Sequence, residues 1–101
     1  MRAEEFNDLA EKRFAKCRRL LVLKASEYAN NKDRLHNFKD GAFLSKQTPE
    51  QYALSLVNKQ FVALRDKITN KEEISYSFLN EKIMDIINYM VLIEALITEK
   101  K

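Results

Sequence analysis

The chain has 101 residues, with 18 Lys and Arg against 15 Asp and Glu for a formal net charge of +3, and only one Gly and one Pro. That length suits a single domain over residues 1–101 and excludes two, and the charges are spread along it with no basic tail or arm to clamp duplex nucleic acid. A composition that is 46% apolar and nearly free of Gly and Pro excludes a hairpin-rich β fold and predicts an all-α protein.

From about Ala3 to Ala29 the residues Phe6, Leu9, Ala10, Phe14, Cys17, Leu20, Leu21, Ala25 and Tyr28 recur at threes and fours, the spacing of one helical face. Cys17 is the chain's one cysteine and falls on that face, which predicts a buried, reduced thiol and a cytoplasmic setting. The Asn and Asp residues that follow satisfy their own backbone locally and end the helix. Asp33 is the expected N-cap of a short second helix through about Leu44, which Gly41 either interrupts or ends.

"TPEQ" is a firmer start signal, with Thr48 as N-cap, Pro49 at the first helical position and Gln51 placed for a capping box. The third helix then runs from Pro49 to about Ile68. It carries one stripe of Ala53, Val57, Phe61, Leu64 and Ile68 and a second of Tyr52, Leu56 and Ala63, as expected of a central helix. After the polar "TNKEEISYS", Phe78 to Thr98 is apolar nearly all round.

Asp85, Asn88 and Glu94 interrupt the most apolar stretch, so neither a membrane segment nor an export segment is expected. Three long helices and one short one predict an antiparallel bundle. The last helix offers more apolar surface than two neighbours cover, which points to completion by a homo-oligomer, most simply a dimer.

Several polar residues break this pattern. At about 100° per residue Lys24 returns to the azimuth of Phe6, the middle of an apolar stripe, with Glu27 near its edge. An inward lysine must snorkel, pair with an acid or face a polar cavity. Glu81, Asp85 and Asn88 share one face of the last helix, where two carboxylates one turn apart can hold a hard cation or form a solvated edge. Asn88 and Tyr89 lie deep in that helix, where an amide needs a hydrogen-bond partner. Lys59 shares a face with Tyr52, Leu56 and Ala63 and is either a phosphate ligand or a surface residue.

The order and spacing of "KASEY", "DRLHNF", Lys59 and "EKIMDIINY", over about residues 24 to 89, resemble the small phage and bacterial nucleotide-modification-associated proteins. More distantly they resemble the MazG-like all-α nucleoside triphosphate pyrophosphatases. In those enzymes E-x-x-E and E-x-x-D pairs on two helices hold Mg²⁺ against nucleotide phosphates. The resemblance aligns Glu27 and Asp85 with the second members of the pairs, whereas Lys24 and Lys82 stand at the first positions and Glu81 is adjacent to one of them. It implies Mg²⁺ on Glu27, Glu81 and Asp85, a set thin for the oxygen-rich octahedron that Mg²⁺ prefers.

Two classes of function follow. As a Mg²⁺-dependent pyrophosphohydrolase, the chain would polarise a phosphoryl group with its metal and neutralise phosphate with Lys24, Arg34 and Lys59. As a non-catalytic phage protein that sequesters a cyclic or linear nucleotide, it would use Lys24, Arg34, Lys59 and Asn88 without turnover. His36 would contact phosphate or base, although a lone histidine is more often structural, and Asn37 would share its rim. A helical adaptor that docks another protein through the last helix is the third reading.

Overall fold

A computed structural model describes residues 1–27, the last four as backbone only, and residues 33–101. Among them all regular structure is helical: α1 (Ala3–Glu27), α2 (His36–Ser45), α3 (Pro49–Thr69) and α4 (Tyr76–Glu99). Three long helices and one short one are therefore present as the periodicity predicts. The expected extension of the first helix to Ala29 lies outside the described residues.

Each start has a local cause. Glu4 and Glu5 place negative charge in the first turn of α1, where the helix dipole favours it. Thr48 and Gln51 complete a capping box: the Gln51 N–H donates to Thr48 Oγ1 at 3.2 Å, and the Thr48 N–H donates to Gln51 Oε1 at 3.0 Å. Ser75 caps α4 by accepting from the Phe78 N–H at 3.1 Å.

Asp33 does something other than the expected cap. The residue at the N-cap of α2 is Leu35, with no side-chain cap bond. Asp33 Oδ1 instead accepts from the Leu35 N–H at 3.0 Å, a turn two residues long, and Oδ2 takes Lys39 at 2.5 Å. A short acidic side chain that closes its own turn is withdrawn from the helix end.

The end of α2 falls within one residue of the expected one. Gly41 is inside the helix, which continues to Ser45 and closes with Lys46 in the left-handed region at φ 57°. A Cβ on Gly41 would stand 2.3 Å from the Tyr52 ring, so the missing side chain is what lets α2 lie against α3.

The core forms where α2, α3 and α4 meet. Leu35, Phe38, Ala53 and Leu96 are buried together, flanked by Tyr52, Leu56, Tyr89 and Leu92. Phe38 meets Tyr89 edge to face, with centroids 6.3 Å apart and planes at 78°. Helix α3 packs against both α2 and α4, the central position its two apolar stripes call for. Lys39 joins Asp33 to Glu99 at the C-terminal turn of α4, and Lys100 reaches Glu50 of α3 at 2.9 Å.

Helix α1 is the outlying element, approaching α4 alone among the described helices. Arg13 Nη1 donates to Asn80 Oδ1 at 2.6 Å, Lys16 bonds the Tyr76 hydroxyl, and Cys17 is buried as expected. Burial pushes the Cys17 thiol up, which keeps it protonated and inert. No described helix is long and apolar enough to cross a membrane.

Candidate functional site

Where the second half of α1 passes the other helices, they enclose a cavity of about 320 Å³. Helix α4 supplies one wall: Asp85, Asn88, Tyr89 and Leu92 stand at i, i+3, i+4 and i+7 and so share a face. Tyr52 and Leu56, also one turn apart, come from α3. Phe38 and Asn37 come from α2, Arg34 from the turn before it, and Leu20 and Leu21 from α1. The lining is apolar and aromatic, with four polar side chains set into it.

Asn88 is the most informative of these. Its residue surface is 6% exposed, and neither Oδ1 nor Nδ2 has a hydrogen-bond partner among the described residues. An amide has two donors and two acceptor sites, and each buried group left unmade costs about 1–3 kcal/mol. Stability alone would select leucine at this position.

Tyr89 is the second. Burial raises its phenol above the ordinary value of 10.0, and the Asp85 carboxylate and then Tyr52 raise it further. Tyr89 is therefore a neutral hydroxyl donor at physiological pH. The same ordering shows that Asp85, Tyr52 and Tyr89 sit close enough to feel one another.

Of the residues singled out in the sequence, Arg34, Asn37, Asp85, Asn88 and Tyr89 converge on this cavity. Three others do not line it. His36 is half-buried, and its Nδ1–H donates to the Asp33 carbonyl at 3.1 Å, a structural bond at the start of α2. Lys59 is exposed on α3. Glu81 is exposed on α4 with Oε1 3.8 Å from Lys82 Nζ, and Lys82 lies over the Phe78 ring. The side chains of Lys24 and Glu27 lie outside the described residues.

Asp85 is thus the one described carboxylate in the wall. No group of three or more His, Cys, Asp or Glu that could hold a metal ion occurs among the described residues. Phe38, Tyr52 and Leu56 were not singled out as site residues, although the second stripe of α3 already grouped Tyr52 with Leu56.

Comparison of the chain with protein families, with curated proteins and with solved structures finds no match in any of the three.

Proposed function

We propose that the chain binds a nucleotide in the cavity between its four helices and holds it without turnover. The observation that carries this reading is the buried, unpartnered amide of Asn88 in a wall of aromatic rings. A heterocyclic base presents a donor and an acceptor side by side on a flat edge, which an asparagine amide can pair in two bonds. Phe38, Tyr52 and Tyr89 offer the apolar and aromatic surface against which its faces pack. Arg34 supplies a guanidinium for a phosphate, with Asn37 beside it on α2.

The volume is at the small end of ligand pockets, about 300–1,000 Å³. It suits one base with its sugar. Retention is favoured over hydrolysis by a single described carboxylate in the wall. The resemblance of "KASEY" and "EKIMDIINY" to MazG-like proteins agrees with a nucleotide ligand in a host cytoplasm, and a phage-encoded sponge is one form it takes. Self-association, expected from the apolar last helix, is a separate expectation that the ligand reading does not require.

The test is to titrate the full chain with nucleosides, mono- and triphosphates and cyclic nucleotides, with and without Mg²⁺, following heat of binding and the ligand recovered after denaturation. Binding of at least one nucleotide, with the ligand recovered intact and no requirement for Mg²⁺, is expected. Asn88→Leu should weaken it by about ten- to a hundredfold, the loss of hydrogen bonds worth about 1–3 kcal/mol. Arg34→Ala should reduce the advantage of nucleotides over nucleosides. Metal-dependent pyrophosphate release lost in Asp85→Ala would restore the hydrolase reading, and no binding by any compound would leave the adaptor.

A further inference from the structure

A second concavity lies between the first half of α1 and the first half of α4, with a volume of about 600 Å³. Its apolar surface comes from Leu9 of α1 and from Tyr76, Leu79 and Ile83 of α4. Leu9 of α1 is 52% exposed and Tyr76 of α4 64%. A cluster this apolar on one side of a small protein marks a surface that is covered in use.

The whole molecule gives the size of what covers it. The chain exposes 7693 Å². A folded monomer of 11.9 kDa exposes about 6,000 Å², so the excess is about 1,700 Å². That is roughly twice the 800 Å² that each partner buries in a standard interface, and it falls in the range of obligate homodimers. The radius of gyration agrees: 15.7 Å, against about 13 Å for a compact chain of this length.

Charge says which partner fits. Along α1 the acids come first, Glu4, Glu5, Asp8 and Glu11, and the bases follow, Lys12, Arg13, Lys16, Arg18 and Arg19. The groove repeats this order, with Glu5 and Asp8 towards one end and Lys12 and Lys16 towards the other. Such a surface is complementary to itself when turned end for end, which is the requirement of a two-fold interface.

We infer that the α1–α4 groove is the interface of a homodimer, in which the α1 helices of two copies run antiparallel. The acidic first turns of each copy meet the basic third and fourth turns of the other, over an apolar centre built on Leu9, Leu79 and Ile83. The Asp8–Lys12 pair, 2.8 Å within one chain, is exposed and exchanges partners across the interface. This assignment is independent of the nucleotide reading, because the groove shares no described lining residue with the smaller cavity.

Sedimentation velocity and light scattering on the full chain test it. Wild type is expected at about twice 11.9 kDa at micromolar concentration and low salt, with dissociation promoted by salt. The double variants Glu5→Lys with Asp8→Lys and Lys12→Glu with Lys16→Glu should each run at half that mass. Mixed in equal amounts they should recover the doubled mass, since one copy is then basic throughout and the other acidic. Leu9→Glu, which sacrifices little burial within one chain, should also be monomeric while remaining helical by circular dichroism. A wild type that runs as a monomer up to millimolar concentration overturns the assignment, as does a dimer that survives all three variants or a mixture that fails to reassociate.

Discussion

Asn88 and Gly41 show how single residues are explained by what they touch. Asn88 leaves both amide atoms unpaired inside an apolar wall, so leucine at that position should stabilise the chain by about 1–3 kcal/mol while weakening ligand binding. Urea unfolding measures the first effect and calorimetry the second; a destabilised Asn88→Leu would mean that the amide is satisfied within the fold and is not aimed at a ligand. Gly41 works by absence. Gly41→Ala gains about 1 kcal/mol of helix propensity but drives a methyl to 2.3 Å from the Tyr52 ring, an overpacking of about 1–3 kcal/mol. We expect a lower urea midpoint and altered ligand affinity, because the displaced ring is part of the cavity wall. A variant more stable than wild type with unchanged binding would show that the ring moves freely.

At the scale of the element, α2 is held near its N-terminus by groups that titrate. Lys39 bonds Asp33 before the helix and Glu99 at the end of α4, and the Lys39 ammonium together with the Leu35 N–H holds the Asp33 carboxyl below its ordinary 3.8. The contribution is therefore present above pH 3.8 and is lost as the pH falls through the lower folded value. The same bonds to Asp33 and then Glu99 raise the Lys39 ammonium above 10.5, so its share is present below that pH and is lost on passing above the folded value. Lys39→Met should flatten both limbs of a plot of melting temperature against pH, and an unchanged acid limb would assign it to other carboxylates. Helix α3 depends on a neutral device, the Thr48 and Gln51 box. Thr48→Ala should cost about 1 kcal/mol by urea denaturation, with no such dependence on pH.

At the scale of the whole molecule, the extents of 43 × 29 × 24 Å describe an elongated body with α1 along one side. If α1 meets a second copy there, dilution removes that support and the melting temperature should rise with protein concentration. A melting temperature that stays flat across the monomer–dimer range would place the interface away from the cooperative unit.

The four helices and the Thr48 cap were legible in the sequence because both depend on neighbours three and four residues away. Asp85 and Asn88 were legible as sharing a face for the same reason, although Glu81 was grouped with them. The sequence alone did not show that Lys59 and Glu81 face outward while Arg34 and Asn37 reach the cavity. Periodicity gives an azimuth around one helix axis, and only the packing of α2, α3 and α4 decides which azimuth is enclosed. Asp33 was misread because its side chain had two local uses, and the one realised also brings in Lys39. Gly41 was ambiguous because its reason for being glycine is a ring eleven residues away on another helix. Local hydrogen bonding and helical period are properties of contiguous sequence, whereas a cavity is a property of several helices at once, and only the tertiary structure decided it.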